Sequence, residues 1–439
     1  MAIKGGVKKY LPNMSWMMGD KVFFLGVNFL ASILVARYLG PEKFGVLSYA
    51  TSLVAIFASA GSMGLAGLIV REVVKYPDQE KEILGSAFSL KYIGMLFSFL
   101  VMLIYAIAFE LGNKETFWVF LIVATGVLFQ PFDVIDYWFQ SQVKAKYIAY
   151  SRVLSVLIST LLKVAFVLTG ASLVFFSYAN LTYTILCAIF LCIFYKNITK
   201  KSPLSWSVSF TRMKALIKSG GLIYIGSILA IIYIKIDQVM LKWLVGTDEV
   251  GIYAVAAQLS EAWYFIPVAI VSSLFPSLIK VENSDREKYK VRLQQIFDLL
   301  FVLAAVIALA VTLVSDPVMS FFFGKEYSGS APILNIHIWA GVFIFMRALF
   351  SRWILIENAL VFSILTQGAG AVINVILNFF LIKEYGGVGA AYATLLSYAM
   401  ASYGALFFYK KTRPVFLMMT KSIFSPLRLL LKIRRVWNA

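Results

Sequence analysis

The sequence predicts an all-α integral membrane protein with twelve transmembrane helices in two six-helix lobes, related by an axis along the membrane normal. Three observations carry this. Of 439 residues, 61% are hydrophobic and 14% charged, against roughly 45–50% and about 25% in soluble domains. The mean hydropathy is +0.83, and apolar runs of about 20 residues, the length that spans the hydrocarbon core, recur throughout. A turn motif also repeats about 206 residues further on. A water-soluble enzyme is excluded. The two cysteines, Cys187 and Cys192, fall in one apolar run and His337 is the only histidine, so a disulfide framework and a Cys/His metal cluster are excluded as well.

The runs place helices at about 14–38, 43–66, 84–109, 116–140, 149–169, 173–195, 219–244, 250–279, 294–315, 331–357, 359–382 and 388–409. The division expected is an N-terminal lobe 1–212, a C-terminal lobe 213–410 and a basic amphipathic tail 411–439. Helix one carries Asp20 and Lys21 near one end and is long enough to span, so it is read as retained rather than as a cleaved signal. Helix two contains Gly61, Gly64 and Gly67, which fit either close helix packing or a break. Helix four presents Gln130, Asp133, Tyr137 and Gln140 along one face, with Asp136 beside it and Pro131 placed to kink it. Helix seven holds Lys235 and Asp237, and helix eight holds Gln258 and Glu261 on one face ahead of Pro267. Helix ten holds His337, Arg347 and Arg352, and helix eleven holds Gln367, Asn374 and Asn378 on one side. In the tail, Arg428, Lys432 and Arg435 alternate with Leu429, Leu430, Ile433 and Trp437, as in a helix lying on an anionic leaflet.

Connections alternate between tight turns, such as Leu39-Gly40-Pro41-Glu42, Gly170-Ala171-Ser172 and Gly246-Thr247-Asp248, and longer basic segments. With the N-terminus cytoplasmic, 28 of the 40 Lys and Arg residues fall on the inner side and six on the outer. Both termini are therefore expected in the cytoplasm. The net charge of +18 is thereby explained by topology, and nucleic-acid binding has no further support. The triplets Asn197-Ile198-Thr199 and Asn180-Leu181-Thr182 fall on the inner face and within a span, and are read as chance matches to the glycosylation pattern.

Arg37-Tyr38-Leu39-Gly40-Pro41-Glu42-Lys43-Phe44-Gly45 leaves helix one, and Lys242-Trp243-Leu244-Val245-Gly246-Thr247-Asp248-Glu249-Val250-Gly251 leaves helix seven in the same order of residue types. Tyr178-Ala179-Asn180-Leu181 and Tyr392-Ala393-Thr394-Leu395 match at an offset of about 214. Each six-helix half crosses an even number of times, so both enter from one side.

A charge at the bilayer centre costs about 2.5–3.5 kcal/mol on insertion scales, so embedded ions must face protein or water. Lys235, Asp237 and Arg347, near mid-depth, are read as lining a path. For Asp133 and Asp136, a cytoplasmic mouth and a charge network both stay open. Lys21, Lys91 and Arg352 are read as snorkelling to the interface, His337 as making an interfacial hydrogen bond, and Asn374 and Asn378 as packing contacts between helices. No nucleotide fingerprint or nucleophile–base constellation is present, and no cofactor is expected. The outer loops are too short for a sizeable catalytic domain.

The Ala36–Gly45 motif, Tyr137-Trp138-Phe139-Gln140 followed by Lys144 and Lys146, and Gly386-Gly387-Val388-Gly389-Ala390-Ala391-Tyr392-Ala393-Thr394 together resemble the bacterial polysaccharide-repeat (O-antigen, Wzx-type) flippases. That family shares a superfamily with multidrug extruders and lipid II flippases. The resemblance covers nearly the whole chain. It implies transfer of an undecaprenyl-pyrophosphate-linked oligosaccharide across the bacterial plasma membrane by alternating access, with polymerase and chain-length proteins as partners. A sugar–pyrophosphate headgroup needs a polar, partly cationic cavity to cross hydrocarbon. Lys235 and Arg347, with Lys163 third, are the candidates for pyrophosphate or acidic-sugar contacts, joined by the face of Gln130, Asp133 and Tyr137. Tyr233, Trp263 and Tyr264 suit sugar stacking or bilayer packing. Asp237 and Glu261 are the candidates for H+ or Na+ coupling. A cation-coupled multidrug antiporter and a membrane-embedded glycan polymerase are the alternatives.

Overall fold

A computed structural model describes residues 2–357, 359–426 and 428. Among the described residues the regular structure is helical throughout. The helices are α1 (Ala2–Ser62), α2 (Ala66–Lys75), α3 (Glu80–Phe109), α4 (Lys114–Thr125), α5 (Asp133–Ser141), α6 (Ala145–Leu168), α7 (Leu173–Thr199), α8 (Phe210–Leu244), α9 (Thr247–Glu261), α10 (Phe265–Ser284), α11 (Arg286–Phe322), α12 (Ser330–Ile356), α13 (Leu360–Ser402) and α14 (Arg413–Ile423). Among these residues ten stretches are long and apolar enough to cross a membrane. Two of them, Ser15–Lys75 and Val361–Phe407, are interrupted by non-helical Gly40 and Gly386, and each makes two crossings. The described residues therefore hold twelve membrane-length segments, as the apolar runs predict.

The tight turns depend on glycine. Gly40 has φ 73° and ψ 170°, Gly246 has φ 131°, Gly170 φ 68° and Gly386 φ 56°. Side chains other than glycine's rarely enter this region. The turn glycines recur in pairs, Gly40 with Gly246 and Gly170 with Gly386, in step with the sequence repeat.

Two compact units emerge, Met1–Val239 and Met240–Ala439. The division falls inside α8, whose first part is tied to unit 1. Ser209 N donates to Ser86 Oγ at 3.0 Å, Arg212 meets Glu72 at 3.8 Å and Glu82 at 3.7 Å, and Ser52 Oγ donates to the Gln238 side-chain oxygen at 2.6 Å.

In unit 1 the end carrying Gly40 and Gly170 is the turn end, and the opposite one, carrying residues 76–79 and 142–144, is the basic end. One apolar cluster lies toward the basic end, where Leu68 and Ile69 of α2 and Leu84 of α3 meet Ile135 and Phe139 of α5 and Leu191 of α7, and Leu47, Phe120, Leu173 and Phe176 are buried toward the turn end. The face of helix four that the sequence singled out stands at a break. Between α4 and α5, Gly126–Phe132 is a 3₁₀ segment containing Pro131, which lacks an N–H for the α-helical ladder. Of the helix-two glycines, Gly61 makes the close packing: a Cβ there would lie 2.9 Å from the Gly94 carbonyl oxygen, and one at Gly94 would lie 2.5 Å from that of Gly61. Gly64 makes the break, with φ 58°.

In unit 2 the core joins α10, α11 and α12, and the described part of the tail enters it through Val415 and Met419 of α14. Asp298 of α11 accepts from Ser422 Oγ at 2.6 Å, Gln294 Nε2 at 2.8 Å and Arg428 Nη2 at 2.9 Å. Arg428 is thus paired with protein rather than kept for headgroups. The rest of the expected stripe, Lys432, Arg435, Leu429, Leu430, Ile433 and Trp437, lies outside the described residues. Asn374 and Asn378 behave as packing contacts: Asn378 donates to Asn374 at 3.0 Å, and Asn374 to Ser397 Oγ at 3.4 Å, linking the two limbs of α13.

Enlarging Gly94 to valine should force α3 away from α1 and lower stability by roughly 1–3 kcal/mol, as overpacking does. A fall in the detergent-solubilised protein's apparent melting temperature, larger than that for Gly67→Val, where a Cβ meets nothing within 4 Å, is the expected result.

Candidate functional site

Unit 1 holds two adjoining, half-open chambers between α1, the α4–α5 break, α6 and α7, the first richly polar and the second with polar groups set among apolar ones such as Val54, Val123 and Val127. The chamber nearer the basic end has a volume of about 430 Å³ and is walled by Asp20, Lys21, Gln130, Asp133, Asp136, Tyr137, Gln140, Arg152 and Tyr183, among others. Its ions are paired. Arg152 forks between two carboxylates, Nη1 to Asp20 at 3.1 Å and Nη2 to Asp136 at 2.6 Å, and Gln140 donates to Asp136 at 2.8 Å. Both carboxylates are buried, at 4% and 6% side-chain exposure, whereas Arg152 is 36% exposed. The planar guanidinium presents several donors at fixed angles and so can hold α1, α5 and α6 together at one point.

The second pair is Lys91 with Asp133, at 3.1 Å. Lys91 is sealed at 2% exposure while Asp133 is 47% exposed, so the carboxylate faces the chamber and the ammonium stands behind it. Tyr137 Oη takes a further hydrogen bond from Lys91 at 3.3 Å. This corrects the snorkelling expected of Lys91: the side chain goes sideways from α3 to the helix-four face, where a counter-ion is nearer than the interface. Arg152, inside the span expected at 149–169, stands in the body of α6. Asp20, Asp133 and Asp136 are matched by Arg152, Lys91 and Lys21, and this chamber is close to neutral.

The second chamber, about 290 Å³, lies nearer the turn end and shares Gln130, Tyr183 and Thr184 with the first. Lys163 of α6 lines it, with Asn28, Thr51, Ser159 and Asn180. Asn28 Nδ2, Thr51, Ser159 and Thr184 spend their donors on backbone carbonyls. Lys163, Gln130 and the Asn180 amide have no hydrogen-bond or ion-pair partner among the described residues.

The structure therefore brings together Gln130, Asp133, Tyr137 and Lys163 of the residues expected to bind substrate. Lys235, Asp237, Glu261 and Arg347 are not in the walls of these chambers. Lys235 is half-buried and Asp237 buried on α8 of unit 1. Glu261 ends α9, and Arg347 of α12 donates to the Ala401 carbonyl at 3.4 Å, both in unit 2. His337 is buried near the start of α12 with its ring edge-on to Tyr253 at 5.8 Å. Arg352 meets Ser272 Oγ at 3.4 Å and the Phe275 ring at 5.4 Å, so it too is held within the bundle. Sequence reasoning missed Arg152, Asn28 and Asn180. Arg152 had a usable signal: Asp20 and Asp136 are two embedded carboxylates that demand a cation between them.

A twelve-span helical chain with ion-lined chambers inside one unit is a multi-pass membrane protein built to keep polar groups within the bilayer. The model of the polysaccharide biosynthesis protein family matches residues 11–282, and the chain belongs to that family. Among its relatives, "Probable flippase AglR" of Haloferax volcanii is 26% identical over 385 residues, covering 86% of this chain and 78% of the relative. "Putative O-antigen transporter" of Shigella flexneri is 23% identical, covering 81% of this chain and 87% of the relative. In fold the chain is similar to the lipid II flippase MurJ in an inward closed conformation, with TM-score 0.73, 16% identity and coverage of 95% and 93%. It is also similar to an inward-facing multidrug resistance transporter of the MATE family, with TM-score 0.66, 15% identity and coverage of 90% and 95%.

Arg152→Gln should destabilise the protein by roughly 3 kcal/mol, because it leaves two buried carboxylates without a counter-charge. Adding Asp136→Asn should restore part of that loss. A double-mutant cycle read by thermal unfolding in detergent checks both; an additive result would show that the fork carries no coupling.

Proposed function

We propose that the protein is a flippase that moves a lipid-linked oligosaccharide from one leaflet to the other, supplying surface polysaccharide assembly. The observation that carries the reading is the pair of polar chambers inside the span region, one of them with an uncommitted ammonium, in a chain of the polysaccharide biosynthesis family. Sugar hydroxyls and phosphate charges lose water on entering hydrocarbon and need replacement partners there. Gln130, Asp133, Tyr137 and Lys163 supply such partners in unit 1. Lys235 and Arg347 are proposed to meet the pyrophosphate, since ammonium and guanidinium groups pair well with phosphate oxygens. The carrier proposed is undecaprenyl pyrophosphate and the site the bacterial plasma membrane, with both termini cytoplasmic as the distribution of basic residues favours. Movement is proposed by alternating access of the two six-helix lobes, 1–212 and 213–410. Asp237 and Glu261 are the proposed positions for H+ or Na+ coupling, and a polymerase and chain-length proteins the proposed downstream partners.

The drug-antiporter reading asks for acidic groups open to a cationic cargo. The chamber carboxylates are instead engaged by Arg152 and Lys91, and the uncommitted charge is cationic, which supports an anionic cargo.

Deletion of the gene should make lipid-linked repeat units accumulate on the cytoplasmic leaflet, detected by mass spectrometry together with a leaflet-impermeant sugar label. Drug hypersensitivity with normal surface glycan would point to the antiporter. Single repeat units reaching the outer leaflet would point to a polymerase.

A further inference from the structure

The two chambers of unit 1 differ in how their charges are balanced. Around the chamber near the basic end, Arg152 and Lys91 are bonded to the three carboxylates and Lys21 stands beside Asp20. The second chamber holds Lys163 alone. Its ammonium has neither ion pair nor hydrogen bond among the described residues, and the other charged groups lie beyond the shared wall of Gln130, Tyr183 and Thr184. Lys163 stands five residues before the end of α6 at Leu168, about 8 Å along the axis at roughly 1.5 Å per residue. A lone embedded charge is costly unless something of opposite sign or strong polarity meets it. Around it stand polar atoms of a neutral kind: the Gln130 and Asn180 amides, the Asn28 side-chain oxygen left over after its amide nitrogen donates to Phe24 O at 3.0 Å, and Tyr183. Tyr183 also brings an aromatic face, held against Phe24 at 5.6 Å between ring centroids.

We propose that this chamber is a subsite for one acidic sugar residue, with Lys163 as counter-charge to the sugar's carboxylate and Asn28, Gln130, Asn180 and Tyr183 as partners for its hydroxyls. The inference rests on the flippase reading and narrows it to cargo that carries an acidic residue. The chemistry favours a carboxylate over a phosphate group. A single ammonium balances one negative charge; a dianion would leave excess charge in a low-dielectric space, with Asp133 and Asp136 on the far side of the shared wall. Amide groups can both donate to and accept from hydroxyls, whereas phosphate oxygens only accept. A volume of about 290 Å³ is at the lower end of ordinary small-ligand sites, about 300–1,000 Å³, which suits one ring rather than an oligosaccharide.

The test is saturation-transfer NMR on the full-length protein in nanodiscs, with glucuronate, glucose and inorganic phosphate as probes. Glucuronate should bind saturably, glucose far more weakly, and phosphate should not displace glucuronate. Lys163→Gln should weaken glucuronate about tenfold or more, as expected for loss of a charge-assisted contact, and Lys163→Arg should retain most of it. Retention of the wild-type melting temperature by Lys163→Gln separates loss of the site from loss of the fold; if that variant unfolds, the comparison of Lys163→Arg with Lys163→Met takes its place. Three outcomes overturn the proposal: glucuronate binding that ignores Lys163, displacement of glucuronate by phosphate at equal concentration, or no binding of glucuronate at all. Leaflet transfer of a lipid-linked glycan by the same protein in proteoliposomes is scored separately. A protein that moves a neutral glycan yet ignores glucuronate fails only here, and one that moves no glycan fails as a flippase whatever it binds.

Discussion

An ionised side chain within a bilayer has to find its partner inside the protein, and unit 1 is organised around that requirement. Arg152 meets it for two carboxylates at once, Asp20 from α1 and Asp136 from α5, and Lys91 meets it for Asp133 from α3. These pairs reach across four helices. They hold apart walls that apolar packing alone would draw together, and so they sustain a polar interior. The apolar cluster of Leu68, Leu84, Ile135 and Phe139 lies toward one end, under the paired ions. Apolar packing closes both ends, with Leu47, Phe120, Leu173 and Phe176 buried at the other, and the ions give the middle its polarity.

The break in helix four connects the two. Pro131 and the 3₁₀ turn of Gly126–Phe132 interrupt the regular ladder at the level of the chambers. Gln130 in the break serves both chambers, while Asp133 and Tyr137 just beyond it turn toward Lys91. A continuous helix would carry the same residues at fixed 100° steps. The break lets one short segment address two cavities.

Much of this was legible in the sequence, and the legible part has a physical reason. Span number follows from apolar length, which is a local property, and the turn glycines mark where the chain reverses. The polar face of helix four was legible too, because residues on one face recur at helical spacing. Partner choice was not. Lys91 read as a snorkelling lysine because its sequence neighbours are apolar, whereas its fate was decided by Asp133, 42 positions away. Arg152 lies near the start of its span, and both its partners, Asp20 and Asp136, are on other helices. Asn180 read as a chance glycosylation triplet within a span, and its position in a chamber wall depends on how α7 rotates against α6. Long-range pairing of this kind is settled by tertiary packing.

The Arg152 fork also bears on how the chain is made. Asp20 and Arg152 are 132 residues apart, so at about 5–20 residues per second the acid of the first helix is synthesised roughly 7–26 s before its counter-charge exists. During that interval the Asp20 carboxylate, near one end of its span, has only water and the neighbouring Lys21 to meet it. Its pairing with the Arg152 counter-charge is thereby deferred until the fifth crossing has been made.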